Sequence, residues 1–184
     1  MAGIAIEPDN GVGMVVAINH RRKGAVGIAL LMAMILAACS NDSLPSVKGQ
    51  PTPAFSLQNL QGSTIHFPEH FKQQVVLISF WADWCPSCKS EMRDFEAMFQ
   101  KYEQRGLAVL AINMNKERDK AIAFIDDLSL SYEVLLDARG EVAKAYAVST
   151  IPSAFIINRD GDLHTRILGE AAPEIFEQIL NTLL

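Results

Sequence analysis

The sequence predicts an α/β domain with a central mixed β-sheet flanked by helices. The continuous apolar run Val75–Phe80 and the segment Leu107–Asn113 have the length and composition of strands buried on both faces. Segments with helical spacing of apolar residues follow both runs, and strands that alternate with helices indicate parallel pairing. The dipeptide Asp160-Gly161 is typical of a tight hairpin, so an antiparallel pair is expected near the C-terminus.

The first half of the domain is predicted to contain a hairpin, a strand and a long helix. Residues 54–67, AFSLQNLQGSTIHF, form an N-terminal β-hairpin with its turn at Gln61-Gly62. The strand Val75–Phe80 leads into a helix over residues 86–104, which is predicted because apolar side chains three and four positions apart share one face. That face is formed by Met92, Phe95, Met98, Phe99 and Tyr102.

The second half of the domain continues the alternation after the strand Leu107–Asn113. The expected elements are, in chain order, a helix over residues 118–128, a strand around 132–136, a short helix over 141–146, strands over 153–158 and 163–168, and a last helix beginning at Pro173. Proline suits the first turn of a helix because an N–H donor would have no partner there. The sequence shows no internal repeat and no second core.

The first 38 residues are predicted to be a cleaved signal peptide of the lipoprotein type. A basic cluster, residues 20–23, precedes about thirteen apolar residues, too short a run to span a membrane, which takes roughly twenty. Small residues then lead to Cys39, and the segment Leu36-Ala37-Ala38-Cys39 resembles the bacterial lipobox. The lipobox implies a lipid on Cys39, so the protein is expected to be anchored in the bacterial cell envelope, facing the periplasm or extracytoplasmic space.

Residues 39–53 are predicted to be a flexible tether, because SNDSLPSVKGQPTP is polar, contains three prolines and has no periodicity. The folded domain is then expected to span residues 54–184. The chain has a formal net charge of −5 at pH 7, and its domain has no basic run, which argues against nucleic acid as a partner. Export also places the cysteines in a compartment where disulfides persist.

Cys85 and Cys88 lie two residues apart in FWADWCPSCKSEM, between a strand and a helix. A zinc site would need a second such pair or two suitably spaced histidines. The histidines His20, His66, His70 and His164 are scattered along the chain, so no metal site is predicted. A purely structural disulfide is also a poor explanation of the pair, because a disulfide that closes so short a loop stabilises the fold little.

Redox chemistry fits the pair better, for a geometric reason. Cys85 is expected at the N-terminus of the helix, where unpaired amides and the positive end of the dipole favour thiolate over thiol. Cys88, one turn later, is within reach of Cys85. Both cysteines are expected to be exposed to solvent, and Cys88 less so than Cys85. Pro86 suits the first helical turn between them.

Two segments resemble a known family. FWADWCPSC resembles the thioredoxin-fold signature, and TIPSAFII resembles the loop in which a cis-proline faces the cysteine pair. With PAFSLQNLQGSTIHF and INRDGDL, the chain resembles the membrane-anchored TlpA/ResA/DsbE group of extracytoplasmic thiol-disulfide oxidoreductases over about residues 51–184. The resemblance implies a thioredoxin-like fold and a reductase of protein disulfides that serves cytochrome c maturation or metal-site assembly.

The resemblance also implies catalytic roles for three residues. Cys85 matches the attacking cysteine, Cys88 matches the resolving one, and Glu91 matches an acid that influences their ionisation. Thioredoxin itself has a buried proton-transferring Asp six residues before the first cysteine, where this chain has Ser79. Since serine cannot act as a base at neutral pH, that function is expected to fall to Glu91 or to water.

Substrate binding is implied for four further residues around the pair. Pro152 matches the cis-proline, and Ile151 before it is expected to offer backbone groups to a bound substrate strand. Trp84 matches the aromatic residue beside the motif, and Pro86 belongs to the same surface.

The partners follow from the mechanism and from the family. The substrates are expected to be protein disulfides, such as those of apocytochrome c or of a metal-site assembly protein. Because the enzyme is left oxidised, a transmembrane thiol-reducing transporter is expected to return electrons to it. The lipid anchor makes the membrane a further partner, and no cofactor is required.

Other functions remain open at this point. A disulfide donor for secreted proteins would run the same exchange in the opposite direction. Two thiolates also suit copper(I), so a non-enzymatic metallochaperone is an alternative, although no third ligand is evident near the pair. A peroxide reductase is disfavoured, because the residues before Cys85, SFWADW, lack the proline and threonine of the peroxiredoxin motif.

Overall fold

The computed structural model describes residues 48–115 and 117–184. The predicted signal peptide, Cys39 and the first part of the predicted tether lie outside the described residues. Among the residues that are described, no helix combines the length and hydrophobicity needed to cross a membrane.

A seven-stranded mixed sheet forms the centre of the domain, with the order β2-β1-β5-β4-β3-β6-β7. The strands are β1 (Phe55–Asn59), β2 (Thr64–Phe67), β3 (Val75–Trp81), β4 (Leu107–Asn113), β5 (Glu133–Leu136), β6 (Ser153–Ile157) and β7 (Leu163–Leu168). Strand β4 pairs in parallel with β3 and β5, and the other neighbours are antiparallel. The predicted mixed sheet, its N-terminal hairpin and its antiparallel C-terminal pair are confirmed.

The described residues contain the predicted helices, some of them shorter than expected. They are α1 (Pro86–Tyr102), α2 (Arg118–Ile125), α3 (Glu141–Ala145) and α4 (Pro173–Leu183). The prediction of a helix to residue 104 was too long, because the chain tightens into a 3-10 turn, Glu103–Arg105, and ends at Gly106 with φ +93°. Helix α2 likewise stops before residue 128, although Leu128 is buried as its apolar spacing suggests.

The two faces of the sheet bury separate hydrophobic clusters, because successive side chains of a strand point to opposite sides. Along β3, Leu77 and Trp81 join the cluster beneath α1 and α4, whereas Ile78 and Phe80 join the cluster on the other face. Helices α1 and α4 meet through Phe95 and Phe176, whose ring centroids lie 4.9 Å apart. The first cluster includes both cysteines of the pair.

Residues 49–53 are attached to the domain, which corrects part of the predicted tether. The Gly49 N–H donates to the Leu163 carbonyl at 2.8 Å, and the Leu163 N–H donates to the Gln50 carbonyl at 2.9 Å. The Tyr146 hydroxyl donates to the Pro53 carbonyl at 2.9 Å. The prediction was wrong here because the exposed edge of β7 offers backbone groups that even a proline-rich segment can pair with.

This attachment lies at the end of the sheet away from the cysteines. Strand β3 runs from Val75 towards Cys85, and β6 runs antiparallel to it, with Val76 opposite Ile157 and Phe80 opposite Ser153. The turn between β6 and β7 therefore lies at the Val75 end. Residues 49–53 pair with that turn.

Candidate active site

Cys85 lies at the junction of β3 and α1, as the sequence predicts. Its backbone is extended, with φ −100° and ψ 100°, and it forms the N-cap of α1, with Pro86 as the first helical residue. The Cys85 N–H donates to the Ala82 carbonyl at 3.1 Å, which closes the turn that leads out of the strand. The sulfur is thus carried at the positive end of a 17-residue helix, where a thiolate is stabilised.

Cys85 and Cys88 are joined by a disulfide, with their Cα atoms 5.4 Å apart. Cys85 is 4% exposed and Cys88 is 1% exposed. The prediction that Cys88 is the more covered is confirmed, but the prediction of an exposed pair is wrong for this oxidised state. Both cysteines belong to the cluster of buried residues that contains Trp81 and Met92, so packing against α1 and the sheet covers them.

The loop before β6 contains the second part of the site. The Ile151–Pro152 peptide bond is cis, as the resemblance implies. The Ser153 hydroxyl donates to the Thr150 carbonyl at 2.7 Å, and the Gly169 N–H donates to the Pro152 carbonyl at 2.9 Å. Because Ser153 pairs with Phe80 near the end of β3, this loop lies at the same end of the sheet as Cys85.

Trp84 is the most exposed large hydrophobic side chain of the described residues, at 71%. It directly precedes Cys85 and lies outside the core. An aromatic side chain left in water beside a reactive disulfide is typical of a contact surface for another molecule.

Glu91 lies one turn after Cys88 on α1 and is only 4% exposed. Burial raises its pKa to about 8, and the carboxylates of Glu170 and Asp94 add to the effect. Its Oε1 atom has no hydrogen-bond partner among the described residues. The group is therefore mostly protonated at neutral pH and poised to exchange a proton near pH 8.

Ser79 is buried, at 1% exposure, and its hydroxyl has no hydrogen-bond partner in the part of the chain that the structure describes. The same holds for Trp81 Nε1 and Asn113 Nδ2, which lie on neighbouring strands. Buried polar atoms without a hydrogen-bond partner are uncommon in proteins.

Glu170 was missed by the sequence analysis. It follows Gly169, whose N–H is bonded to the cis-proline loop, and its charge acts on Glu91. The sequence around Glu170 does not indicate a role in the site, because Glu170 can act on Glu91 only after β7 has brought it close to α1. Within residues 48–115 and 117–184, no group of three or more His, Cys, Asp or Glu side chains could hold a metal ion.

Comparisons with curated proteins agree with this geometry. The thiol-disulfide oxidoreductase ResA of Bacillus thuringiensis subsp. konkukian is 32% identical over 133 residues, which cover 72% of this chain and 76% of the relative. The sporulation thiol-disulfide oxidoreductase A of Bacillus subtilis is 28% identical over 141 residues, covering 75% of this chain and 82% of the relative.

Solved structures give the same result. A structure described as a thiol:disulfide interchange protein DsbE from Chlorobium tepidum has a TM-score of 0.71 at 29% identity and covers 77% of this chain and 100% of its own. A thiol-disulfide oxidoreductase from Bacteroides fragilis has a TM-score of 0.66 at 26% identity and covers 73% and 100%. The model of the AhpC/TSA family matches residues 48–166. The chain therefore belongs to the thioredoxin-fold AhpC/TSA family, and it is a thiol-disulfide oxidoreductase of the ResA/DsbE type whose CxxC pair is Cys85 and Cys88.

Proposed function

We propose that the protein is a lipid-anchored reductase of protein disulfides in the bacterial cell envelope. The observation that supports this proposal most is the cysteine pair at the N-terminus of α1, bonded as a disulfide and placed at the sheet end that carries the cis-Pro152 loop. The substrates are the disulfides of exported proteins, in cytochrome c maturation or metal-site assembly.

The exchange begins from the reduced pair. The Cys85 thiolate attacks one sulfur of the substrate disulfide, which forms a mixed disulfide and releases the other substrate sulfur as a thiolate. Cys88 then attacks the Cys85 sulfur, which forms the enzyme disulfide and releases the second substrate sulfur. Two electrons pass to the substrate, and a transmembrane thiol-reducing transporter returns two electrons to the enzyme.

Glu91 accepts and donates the protons that this exchange requires. Cys88 must lose its proton to attack, and the departing substrate thiolates must gain protons. A buried carboxyl group with a pKa of about 8, one turn from Cys88, exchanges protons with little driving force in either direction near neutral pH. Ser79 has no such capacity, because an alcohol stays protonated at this pH.

The substrate segment lies across Trp84, Pro86 and the Ile151–Pro152 loop. Trp84 offers exposed apolar area, and Ile151 is half-buried at the edge of both hydrophobic clusters. The backbone of Ile151 is expected to pair with the substrate strand as a short β-bridge.

The direction of electron flow is tested by the reduction potential. We expect a value nearer to thioredoxin, at about −270 mV, than to the strong oxidant DsbA, at about −120 mV. The wild-type protein is equilibrated in glutathione and dithiothreitol redox buffers, and the fraction of reduced pair is measured by alkylation and mass spectrometry. A potential near the oxidising end would instead support the alternative, a disulfide donor for secreted proteins.

The anchor is tested by changing the proposed lipid attachment site. We expect the Cys39→Ala precursor to lose its lipid and to leave the membrane fraction, because the acyl chains supply the membrane affinity. Membrane fractionation and mass spectrometry of the N-terminal peptide measure this. A Ser40→Ala variant is the matched control and should remain in the membrane fraction. If mass spectrometry found no acyl chains on Cys39 of the wild-type protein, the lipid anchor would be disproved.

A further inference from the structure

Four carboxyl side chains lie on or next to the parts of α1 and α4 that are nearer to the cysteines than the Lys101–Glu177 pair is. They are Glu91 and Asp94 on α1, Glu170 before α4, and Glu174 in its first turn, and we call them the acidic edge. Glu170 and Asp94 both act on the charge of Glu91, and Glu174 acts on that of Asp94. The edge is continuous with the active site, because Glu91 follows Cys88 by one turn and Gly169 is bonded to Pro152.

No cation of the described residues forms an ion pair with the acidic edge. The positive side chains on the same part of α1, Lys89 and Arg93, both pair with Asp127, at 2.7 and 3.4 Å. At the far end of the same helix pair, Lys101 pairs with Glu177 at 2.9 Å. The contact between α1 and α4 therefore has a paired charge at one end and, at the end beside the cysteines, carboxylates without a cationic partner among the described residues, Asp94, Glu170 and Glu174.

This arrangement costs stability, because like charges repel and one of them is buried. Burial raises the pKa of Asp94, and Glu174 raises it further. Glu91 is 4% exposed and its Oε1 atom has no hydrogen-bond partner among the described residues. Buried polar atoms without partners are rare in proteins and usually have a functional explanation.

Exposed apolar side chains adjoin the cysteine pair and the acidic edge in sequence. The large hydrophobic residues that the structure leaves most exposed are Trp84, Leu168 and Ile175, at 71%, 46% and 47%. Trp84 adjoins Cys85, Leu168 lies two residues before Glu170, and Ile175 follows Glu174. A surface of apolar contacts with a single sign of charge at its rim suits a partner of opposite charge.

We propose that the acidic edge binds lysine or arginine side chains next to the substrate's disulfide, with Trp84 and Leu168 contacting apolar residues of the same segment. The proposal rests on the proposed function, because it names the class of disulfide that the site prefers. A metal ion is a poorer occupant, since no group of three ligating side chains in the described ranges could hold one. Asp94, Glu170 and Glu174 are specificity-determining residues in this account.

Binding is tested with peptides that differ only in the charge of their flanks. Each peptide contains one leucine and the segment Ser-Ala-Ala-Ser, which replaces the Cys-Ala-Ala-Cys disulfide of a substrate. This segment is flanked by pairs of Lys, of Ser or of Glu residues. At an ionic strength of about 20 mM, where charges are weakly screened, we expect the Lys peptide to bind the oxidised protein about tenfold more tightly than the Glu peptide. High salt should remove most of this difference.

The matched variants locate the effect. The Glu170→Gln/Glu174→Gln double variant should reduce the preference to about twofold or less. The Glu69→Gln/Glu103→Gln double variant removes the same charge from exposed positions away from the acidic edge, and it should retain the preference. Equal binding of Lys and Glu peptides to wild type would overturn the proposal, and so would an unchanged preference in the Glu170→Gln/Glu174→Gln variant.

The proposed function is judged separately, by reduction of the neutral peptide with its Cys-Ala-Ala-Cys disulfide restored. Failure of the reduced wild-type protein to reduce that peptide would contradict the reductase function, whatever the flanking charge. If the neutral peptide is reduced but the Lys and Glu forms are reduced at equal kcat/KM in low salt, the reductase function is supported. The proposed preference for basic substrates is then wrong.

Discussion

Replacing Cys85 with serine is expected to abolish disulfide reduction, with a loss of at least about a thousandfold in rate. The hydroxyl of serine is not ionised at neutral pH and cannot attack a disulfide, even at the N-terminus of α1, where the cysteine is placed. The measurement is reduction of insulin or of a peptide disulfide by the chemically reduced protein.

Replacing Cys88 instead is expected to give a different defect. The Cys88→Ser variant should still attack, but it cannot release the substrate, so mixed disulfides with Cys85 accumulate and can be identified by mass spectrometry after non-reducing electrophoresis. The Cys85→Ser/Cys88→Ser double variant is the control and should trap nothing. If Cys88→Ser traps no partner and retains full activity, the assignment of attacking and resolving sulfurs is wrong.

The second large effect concerns Glu91 and the dependence of stability on pH. Its pKa is raised from 4.5 to about 8 in the folded protein, mainly by burial, then by Glu170 and Asp94. A group whose pKa is raised by folding stabilises the protein fully at pH values below its pKa in the unfolded chain. This contribution is lost as the pH rises through its pKa in the folded protein. The contribution of Glu91 to stability should therefore fall between about pH 4.5 and pH 8.

Glu91→Gln removes this loss, because the amide stays neutral. We expect the variant to exceed wild type in free energy of unfolding by on the order of 3 kcal/mol at pH 9, with little difference near pH 4. Denaturant unfolding at several pH values measures the effect. A variant that is not more stable than wild type at pH 9 would show that the surroundings of Glu91 do not raise its pKa.

Glu96→Gln on the same helix is the matched control. Burial would raise the pKa of Glu96, but hydrogen bonds from Ser131 and Gln100 outweigh it and hold the pKa below its usual value. Its contribution to stability is therefore present above the unfolded pKa and lost as pH falls through the folded one. Glu96→Gln should lower stability at neutral pH, the opposite sign to Glu91→Gln.

The strands and the cysteine junction could be predicted because their signals are local. A continuous apolar run such as residues 75–80 has few alternatives to a strand buried on both faces, and a cysteine at its end is carried to the helix N-terminus. The cis bond before Pro152 came from family resemblance, since the sequence around one proline does not determine its isomer.

The features that were missed depend on contacts between distant parts of the chain. Cys85 is covered because α1 packs onto the sheet, and its own neighbours in sequence give no sign of this. Residues 49–53 have the composition of a tether, yet they pair with the turn after β6. Glu170 becomes part of the site only when β7 returns to the cis-proline loop.

The hydrogen bonds of residues 49–53 also fix where the polypeptide enters the domain. The polypeptide enters the domain at the Val75 end of the sheet, away from the disulfide. The seven residues of β3 separate the two ends by about 20 Å. A tag or carrier protein fused before residue 49 would therefore be joined to the domain on the side opposite the disulfide.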